Sequence, residues 1–148
     1  MEQHKNHVER SLIAFIILFA IGIVVWRGPQ LQYVGMKLYF PEKDGQTLRL
    51  EKRQIAPIGT FEARAIDVVS ELLLGPISRN LQPVAVTDVL ITRTIVRENV
   101  LFFDFAVSDL PAFSKHYKTF KSAIEKSLHA TIPGNYHISL FINSIQAR

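Results

Sequence analysis

Apolar and polar positions are arranged in three ways along this chain, and each arrangement predicts a different kind of element. From Leu12 to Trp26 there is no alternation at all: fifteen residues, LIAFIILFAIGIVVW, carry neither a charge nor a polar side chain. At about 1.5 Å of rise per residue such a helix spans roughly 22 Å, a little short of a hydrocarbon core of about 30 Å. Val8 and Ser11 on one side, and the stem of Arg27 on the other, extend the fit through snorkelling and local thinning. Trp26 suits the membrane interface, where an amphipathic ring rests best. Leu12, Phe15, Phe19 and Trp26 are thus expected in a single transmembrane anchor over residues 12–27, between a tail at 1–11 and a hinge at 28–33.

Two other elements share part of this pattern. A secretory signal peptide also begins with basic residues, here Lys5 and Arg10, followed by a short apolar core. Its small-x-small cleavage site would have to be Ala20-Ile21-Gly22, which lies inside the run with IVVW still to follow. A buried helix of a soluble domain would keep one polar face, and this run has none. An uncleaved anchor is the expectation. Basic residues flank both ends (Lys5 and Arg10 before, Arg27, Lys37 and Lys43 after), so their count does not orient the span.

A period of two marks the strands. Met36, Leu38 and Phe40 alternate with Lys37 and Tyr39 within Tyr33–Phe40, a half-buried strand. Pro41 to Gly45 is turn chemistry, with Asp44-Gly45 supplying the positive φ of a hairpin. Thr47 to Ile55 reads as the returning strand, with Leu48, Leu50 and Ile55 as its apolar positions. Its centre, Arg49, Glu51, Lys52 and Arg53, is charged enough to predict an edge facing water. Asp88–Arg97 and Val100–Ala106 form the clearest hairpin, turning at Glu98-Asn99. Leu101, Phe103 and Phe105 share its core face, and Val100, Phe102 and Asp104 share the other. Tyr136–Ile142 is a last strand with Ile138, Leu140 and Ile142 inward.

A helical period marks two segments. Thr60 is an N-cap with Glu62 in the first turn, and the helix from Phe61 to Leu74 stops at Gly75-Pro76. Its stripe is Ala63, Ile66, Val69 or Ser70, and Leu73, widened by Val68 and Leu72. Ile77–Val86 is then a loop. Pro111–Thr131 is the second helix, with Phe113, Tyr117, Phe120, Ile124 and Leu128 as its stripe and Ala123 beside it. Lys115, Lys118, Lys121 and Lys126 lie mostly off that stripe. The order β-β-α-β-β-α-β predicts an α+β domain, with two helices on one face of a largely antiparallel sheet.

Charge alters this picture little. Residues 28–148 carry fourteen Lys and Arg against eleven Asp and Glu, a surplus too mild and too spread for the basic stripe of a nucleic-acid binder. No nucleic-acid partner is expected. The sequence has no cysteine, which excludes disulfides and thiolate metal sites within it. None of His4, His7, His116, His129 and His137 has a second ligand at metal-binding spacing, and no phosphate-cradling or nucleophile-elbow motif occurs. Neither catalysis, a metal nor another cofactor is expected. Asp104, a carboxylate in an apolar strand, is either a catalytic or binding acid or a group that faces outward and bonds a nearby backbone N–H. A lone acid without a partner favours the second reading.

Several short blocks together resemble the GerMN domain family. They are VGMKLYFP from Val34, the segment Ala65 to Gly75-Pro76 ending LLLGP, NVLFFDFA from Asn99, IPGN from Ile132, and the strand ending at Phe141, Ile142 and Asn143. The resemblance covers residues 34–143 and leaves 144–148 as a tail. It implies an extracytoplasmic bacterial domain, often membrane-tethered, in proteins of sporulation, spore germination and the cell envelope. It also implies a compact α+β fold akin to ring-building motifs, in which Asp104 and Phe105 match a D-F pair serving the fold. On that footing the chain is expected to be a single-pass protein of the inner membrane with tail 1–11 in the cytoplasm. Its domain would act as a scaffold or adaptor for other envelope proteins or copies of itself. The expected contact surfaces are the charged second strand (Arg49, Lys52, Arg53) and the lysine face of the second helix (Lys115, Lys118, Lys121). The alternative is an accessory domain of envelope enzymes that binds peptidoglycan or another wall polymer through those lysines.

Overall fold

Strand β1, Met36–Pro41, places Met36, Leu38 and Phe40 in the core and leaves Lys37 and Tyr39 half-buried, as the alternation predicts. The computed structural model describes residues 35–45 and 47–146; the tail at 1–11, the apolar run with Leu12, Phe15, Phe19 and Trp26, and the hinge at 28–33 lie outside them. Among the described residues no helix is long and apolar enough to cross a membrane. After β1 the chain reverses at Gly45, whose φ is +70°, with the Asp44 carboxylate accepting from the Thr47 amide at 3.0 Å. It returns as β2, Leu48–Arg53, antiparallel to β1.

The register overturns the expected faces of β2. Met36 lies opposite Arg53, Leu38 opposite Glu51, and Phe40 opposite Arg49. Directly opposed residues share a face, so the core side of β2 carries the charges. Leu50 instead shares the outer face with Tyr39, while Leu48, opposite the buried Pro41, packs partly buried against the core. Leu50 and Ile55, expected inward, are 38% and 50% exposed. Polar groups belong on the core side here because a helix end lies beside them, as described below.

Helix α1, Phe61–Leu73, begins where Thr60 accepts the Ala63 amide at 3.2 Å and is stopped at Gly75 with φ +89°. Val68, Val69 and Leu72 of the expected stripe are buried, joined by Ala65, whereas Ala63, Ile66 and Leu73 are half-buried. Both sets have helical spacing; α1 packs against β1, β3 and a second helix together, and that enclosure selects the first. Ile66 and Leu73 stay half-buried on its flank.

Strands β3, Val89–Arg97, and β4, Val100–Val107, form the expected hairpin, turning at Glu98 with φ +54°. A bulge interrupts their ladder between Ile91 and Arg93. Leu101, Phe103, Phe105 and Val107 enter the core. Helix α2, Leu110–Thr131, starts one residue before Pro111, capped by Asp109, whose carboxylate accepts the Ala112 amide at 3.0 Å. Phe113, Phe120, Ala123, Ile124 and Leu128 are buried along its stripe, and Tyr117 is half-buried. Phe120 sits edge-on to Phe105 at 5.3 Å and to Phe113 at 4.9 Å. This aromatic cluster fixes α2 on the sheet.

Strand β5, His137–Ile142, then runs parallel to β4, which the long helical crossover through α2 allows. Asn143 and Ser144, both at positive φ, turn the chain into β6, Ile145–Gln146. The strands form two sheets, β1-β2 and β3-β4-β5-β6, rather than one largely antiparallel sheet, and residues 144–148 include a short strand within the expected tail. The α+β class with two helices stands.

The edge of β1 away from β2 is closed by a helix, not by a strand. The Tyr39 amide donates to Ser127 Oγ at 2.8 Å and the Lys37 amide to Thr131 Oγ1 at 2.9 Å. The Thr131 hydroxyl donates back to the Lys37 carbonyl at 3.1 Å, and Thr119 donates to the Gly45 carbonyl at 3.2 Å. Ser127 is fully buried on the apolar stripe of α2 because it satisfies this strand edge.

Candidate interaction surfaces

The six cations expected at the surface do not form one patch. Lys115 and Lys118 are exposed on α2, while Lys121 is half-buried. Arg49 and Lys52 are exposed on β2, Arg49 pairing with Glu42 at 3.4 Å. Strand β1 lies between the two groups, with β2 on one edge and α2 on the other. An exposed pair such as Arg49–Glu42 contributes little to stability, about 0–1 kcal/mol, and leaves both groups open to a partner.

Arg53 leaves the expected surface altogether: its side chain is only 6% exposed. Its guanidinium donates to the Glu71 carboxylate and, at 3.1 Å, to the Glu71 carbonyl, and also to the Gly75 carbonyl and the Glu51 carboxylate. It lies 5.7 Å from the centre of the Phe40 ring. Glu51 in turn accepts the amides of Ile77 and Ser78 at 3.1 and 3.0 Å. Helix α1 has no basic residue in its last turn, so β2 supplies the cation that its carbonyl end favours. The absence of a basic residue there is the one sequence signal that could have withdrawn Arg53 from the surface set.

Asp104 takes the structural role. Its two oxygens accept from the Ser144 amide at 2.9 Å and the Ser144 hydroxyl at 3.0 Å, holding the strained β5–β6 turn. Asn143 assists by accepting the Val107 amide at 3.0 Å. His116, His129 and His137 are exposed, and His129 stacks on Tyr136 at 4.7 Å. Among the described residues no group of three or more His, Asp and Glu could hold a metal ion. Burial pushes the Tyr136 phenol up to about 12, and its hydroxyl donates to the Ile132 carbonyl at 3.2 Å. Burial, with Glu125 adding to it, also raises Tyr117.

The four-stranded sheet has a second face that the helices do not cover. Ile95 lies opposite Phe102 and Arg93 opposite Asp104, while Asp104 also lies beside Phe141 across the parallel pair. Phe102 and Phe141 meet at 6.2 Å, and with Ile95 they floor an open groove of about 380 Å³. Arg93 and Arg97 stand at its border, exposed, with no ion-pair partner among the described residues. A second apolar groove, of about 710 Å³, runs between β3 and α1, lined by Ile66, Leu73, Leu74, Leu90 and Ile91. Both grooves flank β3, the edge strand of its sheet. The alternation Arg93-Ile95-Arg97 was visible in the sequence, but its meaning needed the strand order.

No family profile and no curated protein matches the sequence. Solved structures do match. The first GerMN domain of the sporulation protein GerM from Bacillus subtilis has a TM-score of 0.55 at 16% identity, over 77% of this chain and 86% of that one. A candidate lipoprotein from Clostridium perfringens has a TM-score of 0.49 at 16% identity, over 76% of each chain. The tandem GerMN domains of the same GerM have a TM-score of 0.47 at 17% identity, over 77% of this chain and 40% of that one. The fold is GerMN-like, as the sequence blocks implied.

Proposed function

We propose that this chain is an envelope-associated scaffold or adaptor, tethered by the apolar run at residues 12–27, whose GerMN-like domain binds other proteins outside the cytoplasm. The observation that carries the reading is the uncovered sheet face, where Ile95, Phe102 and Phe141 line a groove beside two arginines that have no ion-pair partner among the described residues. An apolar patch bordered by polar groups is what protein contact uses. The likeness in fold to a domain of a sporulation protein supports the envelope setting. The charge-free run of fifteen residues supports the tether.

Crosslinking of membranes that hold the full chain tests the reading. Species heavier than the monomer are expected, and they should be lost in a Phe102→Ser/Phe141→Ser variant. A monomer alone, at every crosslinker length, overturns it. Protease treatment of spheroplasts, followed with a tag after Arg148, should digest the domain without lysis; protection until lysis overturns the extracytoplasmic placement.

A second reading rests on Lys115 and Lys118, exposed on one side of α2. These would hold an anionic wall polymer. Sedimentation with purified wall material, abolished by Lys115→Glu/Lys118→Glu/Lys121→Glu, is its expected result. Absence of sedimentation removes it.

A further inference from the structure

The described edges are treated unequally. The free edge of β1 is occupied by hydroxyls of α2, whereas the nine residues of β3 are hydrogen-bonded on one side only, to β4. Every second residue of an edge strand points its N–H and C=O outward, a template for another strand. Natural edges are usually blunted by shortness, inward charges or a covering element. β3 is long, and Leu90 and Ile95 are 68% and 45% exposed along it. Its blunting features are the bulge between Ile91 and Arg93, which leaves Arg93 to Arg97 in regular register, and the two arginines themselves, whose charge repels a basic strand but not an acidic one.

We infer that this part of β3 binds an extended acidic segment of another protein as an added strand, with carboxylates four residues apart meeting Arg93 and Arg97. The inference rests on the scaffold reading and names the partner's chemistry. Arg93, Ile95 and Arg97 face the same side, each opposite an outer-face residue of β4. The two arginines are set about 13 Å apart along the strand backbone, the span of four extended residues. A segment of the pattern acid-x-apolar-x-acid therefore sets both carboxylates beside arginines and its apolar residue over Ile95 and Phe102. Its alternate side chains enter the groove between β3 and α1, among Leu73, Leu90 and Ile91. There the Thr94 hydroxyl is buried and has no hydrogen-bond partner among the described residues, which a polar side chain of the added strand can satisfy.

Charge decides against the other occupant, a second copy of this chain. A two-fold pairing of β3 with itself centred on Ile95 sets Arg93 opposite Arg97 twice, and like charges directly opposed are destabilising. An acidic strand replaces both repulsions with attractions.

The test uses the full chain in detergent micelles and a labelled synthetic peptide the length of β3, nine residues. The peptide alternates valine at odd and threonine at even positions, with glutamate replacing valine at its third and seventh. Fluorescence anisotropy should show saturable binding that weakens with salt, and hydrogen exchange should show protection of β3 amides. Arg93→Glu/Arg97→Glu should weaken binding by about tenfold or more, and a peptide with lysine for glutamate should not bind. Unchanged affinity in that variant overturns the inference, as does protection on β2 or α2 instead. Concentration-dependent protection of β3 without peptide also overturns it, in favour of self-pairing. If membrane crosslinks persist while the peptide fails to bind, the edge assignment falls and the scaffold reading stands. If the crosslinks never form, the scaffold reading falls itself.

Discussion

The two sheets use arginine in opposite ways. In the small sheet, Arg53 is buried between two carboxylates and two backbone carbonyls, and the free edge of β1 is stitched to α2 by Ser127 and Thr131. In the large sheet, Arg93 and Arg97 border an open groove, and the edge of β3 is left unpaired among the described residues. The first region saturates its polar groups internally; the second exposes them beside apolar surface. A polar group with its partners inside the fold contributes to stability, and one without them is available for recognition. Arg53 on β2 is therefore structural, whereas Arg93 and Arg97 on β3 are free to recognise a partner.

Substitutions can break that contrast, and the largest effect belongs to Arg53. Arg53→Met leaves the Glu51 and Glu71 carboxylates facing each other and removes the cation from the end of α1. A loss of about 3 kcal/mol is expected in urea unfolding of the full chain. A change under about 1 kcal/mol would show that the clamp is dispensable and the contrast false.

Alkaline pH probes the junction of α1, α2 and β5 through Tyr136, which packs on Phe61 and His129. Its folded pKa, near 12, lies above the ordinary phenol value of 10.0, so the folded state holds its proton more tightly than the unfolded chain. That contribution is intact below pH 10 and is lost as pH rises through 12, by about 2 kcal/mol. Tyr136→Phe should flatten this alkaline fall, at a cost of about 1 kcal/mol at neutral pH for the bond to Ile132. An unaltered fall in the variant would assign it to other groups.

Ser127→Ala should cost about 1–2 kcal/mol, because it strands the Tyr39 amide against the helix. Hydrogen exchange at Tyr39 should rise with it, and no change there would mean that the helix does not close the edge. Smallest of all is the effect expected of Arg93→Ala/Arg97→Ala on stability, within about 0.5 kcal/mol, since neither residue has an ion-pair partner among the described residues. A larger loss would make these arginines structural and erase the difference between the two sheets.

The strand and helix segments were legible because each shows its own period. Both hairpins, the Thr60 cap and the Phe113-to-Leu128 stripe could be read from local spacing and turn chemistry. The charged centre of β2 was misread and the α1 stripe was centred too far to one side for one reason: periodicity shows that a face exists but does not say which neighbour meets it. On β2 the charges looked outward by hydrophobicity alone, and the end of α1 instead drew Glu51 and Arg53 to the core side. Of the candidate surface, Lys115 and Lys118 are where charge patterning placed them. The groove floored by Ile95, Phe102 and Phe141 joins three strands whose order no local pattern contains.

What the sequence by itself determined, then, is local: the place and type of every described element but β6, to within a few residues at each end, that Leu101, Phe103 and Phe105 are core, and that the fold is α+β. Those properties depend on backbone preferences and side-chain spacing within about a dozen residues, which a linear pattern records. Only the tertiary structure decided that the strands divide into two sheets, that β5 runs parallel to β4, and that one edge is closed while another is open. Those are pairings between residues as far apart as Lys37 and Thr131. A hydroxyl on an apolar stripe, or an arginine in a charged strand, has its role set by the group across from it, and that group arrives only when the chain folds.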